Sequence, residues 1–226
     1  MPTPTEFKAP FLYNSYYHVV FKSIDGLLLF NSLSDYSLFL DRFKVFTNGL
    51  LDIWVYILLQ NHVHFIIKIK SSSEIKDYIS GLSVEHQTVA MKKLLAKSKD
   101  EKLLDLVIER QVNSFMVSYV NTVNNKNNKQ GGFFQKPFRR VLIVDDAHLQ
   151  QAIIYVHANA QKHQLTDDFT KYRLSSYHEI ITGLSVLVNS KAVLTFFNGI
   201  EKFIETHRLQ VAYFYSNNWP SSKIEV

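Results

Sequence analysis

The chain has 226 residues, of which 46% are hydrophobic, so it is long enough for one ordinary domain with extensions and a sizeable core. The absence of cysteine excludes a disulfide scaffold and cysteine-based zinc sites. No apolar run approaches a membrane span and the N-terminus lacks the pattern of a signal peptide, so we expect a cytoplasmic protein with no membrane partner. A net charge of +5 and a pI of about 9.2 favour a polyanionic partner.

The first part of the chain predicts three strands and one helix. Residues 14–23 combine aromatic and β-branched side chains, as strands do, and residues 34–49 repeat apolar side chains at helical spacing. Residues 50–60 are apolar on both faces, which is typical of a central buried strand. Residues 62–70 follow at once and predict its antiparallel neighbour.

The rest of the chain predicts mainly helices. Residues 74–123 carry an uneven helical pattern, and residues 124–132 are rich in Asn, Lys and Gly, which predicts a loop. Residues 133–144 predict another strand and residues 145–164 a helix, and further helical patterns follow from residue 175.

This order of elements predicts an α+β fold, namely a ferredoxin-like antiparallel sheet with helices on one face. We divide the chain into an N-terminal extension (1–13), a main domain (14–165) and a C-terminal helical extension (166–226). The main domain would contain a helical insertion at about 74–123.

Two histidines stand two residues apart in the third predicted strand. Because side chains alternate along a strand, His62 and His64 point to the same face, about 7 Å apart, and can share one metal ion. The alternative is ordinary packing, since a chain with nine histidines produces such a triplet by chance. A metal site would also need a third ligand.

The predicted helix at 145–164 separates apolar from polar residues. Its apolar stripe consists of Leu149, Ile153, Val156 and Ala160. Tyr155 lies off that stripe and shares a face with Asn159, one turn later, so we expect Tyr155 to be exposed and to contribute nothing to the core. It is either a surface tyrosine among polar neighbours or a nucleophile with an amide ligand beside it.

Four segments in order resemble a known family. They are "NHVH" (61–64), "SYVNTVNNKNNKQGGFFQKPFRR" (118–140), "YVHANA" (155–160) and "YRLSSYHEI" (172–180). Together they resemble the single-tyrosine HUH transposases, specifically the REP-associated tyrosine transposase branch. The resemblance runs from about residue 16 to residue 177 and implies that the main domain is catalytic.

The chain departs from the family pattern at positions outside the expected chemistry. Leu59 and Gln60 stand where the family has Met-Pro, Ala160 stands where it has Pro, and Tyr172 or a neighbour replaces its Trp. A degenerate or repurposed copy is therefore an alternative to an active enzyme.

The resemblance implies a metal-dependent enzyme that cleaves and rejoins single-stranded DNA next to hairpins. Tyr155 would attack a phosphodiester, leaving a 5′-phosphotyrosine and a free 3′-hydroxyl. His62, His64 and Asn159 would hold the metal ion. Ligand softness alone would allow zinc or nickel, and the resemblance implies Mg²⁺ or Mn²⁺.

The stretch "FFQKPFRR" interleaves basic and aromatic residues, which suits the phosphates and bases of a single strand. The candidate DNA-binding residues are Asn124, Gln135, Lys136, Arg139 and Arg140. The alternative is an amphipathic strand whose phenylalanines belong to the core.

Two other functions compete with the transposase. A non-catalytic binder of hairpin DNA or RNA could use the same fold, although the complete set of Tyr155, His62, His64 and Asn159 favours an enzyme. A metallohydrolase using water is disfavoured because no Asp or Glu stands beside the histidine pair to act as a base. The expected partner is single-stranded or hairpin DNA, and the sequence does not decide between a monomer and a homodimer.

Overall fold

The structure is a computed structural model that describes residues 7–97 and 100–216. Its strands are β1 (Tyr16–Lys22), β2 (Leu51–Leu58), β3 (His62–Ile69) and β4 (Arg139–Ile143). Its helices are α1 (Leu33–Thr47), α2 (Ser72–Gly81), α3 (Val89–Ala96), α4 (Glu101–Asn127), α5 (Asp146–Lys162), α6 (Tyr177–Thr182), α7 (Ser190–Phe196) and α8 (Ile200–Ser216). No helix within the described ranges is long and apolar enough to cross a membrane.

The four strands form one antiparallel sheet in the order β2–β3–β1–β4. This is the strand order of a ferredoxin-like fold, so the predicted α+β fold class is confirmed. The register of β1 on β3 pairs Val20 with His64 and Lys22 with His62. These four side chains therefore share one face of the sheet.

The other face of the sheet carries an aromatic core. Phe21 from β1 and Phe65 from β3 pack against Phe39 and Phe43 of α1 and against Phe115 of α4. All five rings are fully buried. Burial of this much aromatic surface is the main reason that α1 and α4 lie on this face.

Helices cover both faces of the sheet, where the prediction placed them on one. Helix α5 packs on β2 and β3, on the sheet face that carries His62 and His64. Helix α8 packs on the side of α5 that points away from the sheet. The apolar composition of β2 on both faces requires this second layer, because all but one of its residues are buried.

Element boundaries differ from the prediction around the loop that joins α4 to β4. Helix α4 continues to Asn127, so the loop predicted at 124–132 begins within it. Strand β4 starts at Arg139, where a strand from residue 133 was predicted. Pro137 interrupts the hydrogen bonds between β4 and β1 because it has no N–H. The backbone N–H of Gln135 still donates to the Lys22 carbonyl at 2.8 Å.

The two predicted extensions are described in part. Phe11, in the segment before β1, is fully buried in the core. The chain after α5 forms α6, α7 and α8. Residues 1–6 of the predicted N-terminal extension and 217–226 of the C-terminal one lie outside the described residues.

Candidate active site

His62 and His64 lie side by side on β3. Their ring centroids are 5.0 Å apart, and both rings line a cavity of about 730 Å³ on the α5 side of the sheet. The structure therefore brings this predicted pair together on one face.

The His62 ring is oriented by its neighbour in the sequence. Its Nδ1 lies 2.6 Å from the Asn61 side-chain oxygen. Because an amide oxygen only accepts, His62 Nδ1 carries the proton and Nε2 carries the lone pair. A neutral imidazole in this tautomer can bind a cation through Nε2.

The His64 ring is buried and contacts a third histidine. Its Nδ1 lies 2.8 Å from Nε2 of His18, which sits on β1. The His64 Nε2 atom has no hydrogen-bond partner among the described residues. Sequence reasoning missed His18, and the strand "YYHVV" was the available signal, because an antiparallel neighbour of β3 places His18 diagonally across from His64.

Tyr155 is buried, which overturns the expectation of an exposed side chain. Only 2% of its surface is accessible, and its ring centroid lies 6.0 Å from those of His18 and His64. The expectation failed because it assumed that only one side of α5 is covered. In the structure the sheet lies on one side and the C-terminal helices lie on the other.

Asn159 is fully buried between His62 and Tyr155. Its amide partly offsets the effects of burial, raising the pKa of His62 and lowering that of Tyr155. Neither polar atom of the amide completes a hydrogen bond of standard geometry within the described part of the chain. Such a buried amide is positioned to receive a further polar partner.

These groups fit a small cation. His64 Nε2 and Asn159 Oδ1 are buried polar atoms with unmet hydrogen-bonding capacity, and His62 Nε2 carries a lone pair. Nowhere in the described ranges do three or more His, Cys, Asp or Glu side chains form a group that could hold a metal. A metal site here would therefore combine two imidazoles with the Asn159 amide.

The electrostatics of the cavity keep the histidines neutral. Burial, followed by the nearby His163, lowers the pKa of His62 to about 4. Burial also holds the pKa of His64 well below its usual range and lowers that of His18 to about 3. Neutral imidazole is the form that binds metal ions.

Basic residues lie beside the phenol of Tyr155 and around the cavity rim. Lys162 Nζ lies 3.5 Å from the Tyr155 oxygen, and the His163 ring lies 5.0 Å from the His62 ring. Lys22 and Arg139 also line the cavity. Sequence reasoning did not assign Lys22, Lys162 or His163 to the site. Lys22 reaches it through the β1–β3 register, which pairs it with His62, whereas Lys162 and His163 reach it through the docking of α5 on the sheet.

Comparison with known proteins identifies a structural relative. No protein-family profile and no curated protein sequence matches the chain. A solved structure titled "Structure of the REP associates tyrosine transposase bound to a REP hairpin" superposes with a TM-score of 0.50 at 13% identity. The match covers 80% of this chain and 88% of that chain. The chain has the fold of that transposase.

Within this fold, three of the predicted DNA-binding residues are accessible or partly so. Arg139 lines the cavity, and Lys136 is exposed. Gln135 is half-buried and donates its amide N–H to the Ser23 carbonyl at 2.9 Å.

Arg140 and Asn124 do not reach the surface, which corrects their assignment to DNA binding. Arg140 is 3% exposed and pairs with Asp105 at 3.1 Å and Glu109 at 3.2 Å. Asn124 is buried and donates to the Gly131 carbonyl at 2.9 Å. Both residues are occupied in holding the segments around α4 together.

The phenylalanines of "FFQKPFRR" belong to the core. They are Phe133, Phe134 and Phe138, and each is at most 9% exposed. They are therefore not available as stacking surfaces for bases. For these three aromatic residues the alternative is correct, namely that they pack in the core.

Proposed function

We propose that the chain is a metal-dependent DNA strand transferase that cleaves and rejoins single-stranded DNA next to hairpins. The observation that carries the proposal is the meeting of His62, His64 and Tyr155 at one cavity with a basic rim, with the buried Asn159 amide beside His62 and Tyr155. A tyrosine nucleophile beside neutral metal ligands and cationic side chains suits attack on a phosphodiester.

The ligand set determines what a cation would contribute. His62, His64 and Asn159 would hold Mg²⁺ or Mn²⁺, which when bound polarises the scissile phosphate. Because all three ligands are neutral, they leave the positive charge of the ion available to the phosphate oxygens.

Tyr155 would carry the covalent step. Its phenol oxygen loses its proton and forms a bond to phosphorus, while the bond from phosphorus to the 3′-oxygen breaks and that oxygen takes up a proton. Burial raises the pKa of Tyr155, and the Asn159 amide partly offsets this. A protonated Lys162, whose Nζ lies 3.5 Å from the phenol oxygen, would stabilise the phenolate. Phenolate is also a fair leaving group, so a 3′-hydroxyl can reverse the step and rejoin strands.

The basic rim would bind the substrate backbone. Lys22, Arg139 and Lys162 line the cavity that holds Tyr155, so phosphates of a single strand could lie along it. The solved relative is bound to a REP hairpin, and we extend hairpin recognition to this chain on the strength of the shared fold.

A non-catalytic hairpin-binding protein is the second candidate, and the 2% exposure of Tyr155 favours it. A nucleophile must reach phosphorus, so an active enzyme requires DNA to enter the cavity and contact the phenol oxygen from that side. A pure binding protein would use only the rim.

Adduct formation tests the proposal. The untagged chain is incubated with Mn²⁺ and hairpin oligonucleotides that carry single-stranded flanks, and covalent adducts are resolved on denaturing gels. We expect an adduct with the native chain and none with Tyr155→Phe, which still binds the oligonucleotides. Removing a buried hydroxyl should change the free energy of unfolding by no more than about 1.5 kcal/mol.

Tyr172→Phe is the matched control. The Tyr172 hydroxyl donates to the Leu58 carbonyl at 2.8 Å and does not line the cavity, so this variant should form the adduct normally. An adduct with Tyr155→Phe would refute the proposed nucleophile. Binding without any adduct by the native chain would favour the non-catalytic candidate.

A further inference from the structure

His18 contacts the imidazole of His64 on the side away from the cavity. The two rings meet edge to edge, with an interplanar angle of 21° and centroids 5.0 Å apart, and the nitrogen atoms are 2.8 Å apart. Both side chains are 2% exposed. A single hydrogen bond therefore links two neutral imidazoles inside the protein.

The direction of this hydrogen bond decides what His64 presents to the cavity. If His18 Nε2 donates, His64 Nδ1 accepts and His64 Nε2 becomes a buried N–H without an acceptor among the described residues. Orphaned N–H groups are rare in protein interiors and cost about 1–3 kcal/mol. If His64 Nδ1 donates instead, Nε2 is a lone pair, which is a metal ligand.

We propose that His18 is a positioning residue that accepts a hydrogen bond from His64 Nδ1 and thereby directs the His64 Nε2 lone pair into the cavity. This inference rests on the proposed metal site. It assigns to His64 the same tautomer that Asn61 imposes on His62, so the two imidazoles present matching Nε2 lone pairs. His18 would touch neither the metal ion nor the DNA.

The tautomer can be measured without any metal ion. Long-range ¹H–¹⁵N correlation spectra of the ¹⁵N-histidine-labelled chain at pH 7.5 distinguish protonated from unprotonated ring nitrogens. We expect His64, assigned through His64→Gln, to be protonated at Nδ1 and unprotonated at Nε2. A spectrum with the proton on His64 Nε2 would overturn the inference.

Two variants at position 18 separate the hydrogen bond from packing. His18→Leu fills the space but removes the acceptor, whereas His18→Gln places an amide oxygen near the position of Nε2. Mn²⁺ affinity of the untagged chain is measured by titration calorimetry, with thermal unfolding to confirm that each variant folds. We expect a loss of about 10- to 100-fold in His18→Leu. His18→Gln should stay within about threefold of the native affinity, because the acceptor is restored.

The outcomes distinguish this inference from the proposed function. If Mn²⁺ binding depends on His64 but is equal in His18→Leu and the native chain, the inference is wrong and the metal site stands. If Mn²⁺ binding is the same in His64→Ala as in the native chain, the proposed metal site is wrong and the inference falls with it. If His18→Leu does not fold, equal losses of affinity in His18→Gln and His64→Ala would also overturn the inference.

Discussion

Arg139 and Arg140 are adjacent in β4 and point to opposite faces of the sheet. Arg139 pairs with Val20 of β1 and lines the cavity, whereas Arg140 pairs with Val19 and points toward α4. Strand alternation thus gives two neighbouring arginines different roles. One is available to a phosphate, and the other is part of the core.

Arg139→Ala should weaken hairpin binding without affecting the fold. Loss of one phosphate contact should reduce the slope of log affinity against log salt by up to about one unit. The free energy of unfolding should change by less than about 0.5 kcal/mol, because the residue is partly exposed. Binding measured by fluorescence anisotropy at several salt concentrations checks this, and an unchanged slope would exclude a phosphate contact.

Arg140→Ala should destabilise the protein. Its guanidinium also donates to the Ala9 carbonyl at 2.7 Å and lies 4.4 Å from the centre of the Phe11 ring, so the change would release the segment before β1 from α4. Buried ion pairs cost about 3–5 kcal/mol to break. Because Asp105 and Glu109 are partly exposed, we expect about 2–3 kcal/mol by urea unfolding. A cost equal to that of Arg139→Ala would contradict this assignment.

At the scale of elements, a chain of hydrogen bonds connects α8 to the sheet through α5. His207 Nδ1 lies 2.7 Å from the Phe203 carbonyl, which only accepts, so His207 Nε2 accepts from His157 Nδ1 at 2.9 Å. His157 Nε2 then accepts from the Ser176 hydroxyl at 2.9 Å. The Tyr56 backbone N–H donates to the same hydroxyl oxygen, also at 2.9 Å. The C-terminal helices are therefore joined to the main domain by polar contacts as well as by packing.

Ser176→Ala should interrupt this chain. It leaves His157 Nε2 and the Tyr56 N–H without the partner they share, and buried unpaired groups cost about 1–3 kcal/mol each. We expect a loss of about 2 kcal/mol in urea unfolding. The matched control is Ser175→Ala, because buried Ser175 makes one hydroxyl hydrogen bond, to the Tyr172 carbonyl, and should cost less than about 1 kcal/mol. Equal losses in the two variants would contradict a special role for Ser176.

At the scale of the whole molecule, buried neutral histidines make stability dependent on pH. Burial lowers the pKa of His207 to about 3 and holds that of His157 well below its usual range. In the unfolded chain both would titrate near 6.5. Below that pH the unfolded state binds more protons than the folded state, so the free energy of unfolding falls as the pH decreases toward the folded-state values.

We therefore expect the melting temperature to fall steadily between pH 6.5 and about pH 5.5, above the range in which most carboxylates titrate. Thermal unfolding monitored by circular dichroism at constant ionic strength measures this. His207→Phe should reduce the pH dependence, whereas His86→Gln, at an exposed position, should leave it unchanged. A melting temperature that is constant across this interval would refute the assignment of the histidines as buried and neutral.

Local pattern was enough to predict much of this molecule. Alternation placed His62 and His64 on one face of a strand, and the order of strands and helices predicted the ferredoxin-like sheet that the structure contains. These features depend on the period of a single element, and the period can be counted along the sequence.

Contacts between distant segments required the tertiary structure. The apolar stripe of α5 indicated one buried side, yet Tyr155 on another side of the helix is also buried, because α5 docks on the sheet and Tyr155 lies against His18 and His64. His18 meets His64 across 46 residues, and Arg140 meets Asp105 across 35. Burial and pairing depend on which segments of the chain meet. Because hydrophobic attraction is non-directional, the periodicity of a segment predicts that it has a buried face but not which other segment covers that face.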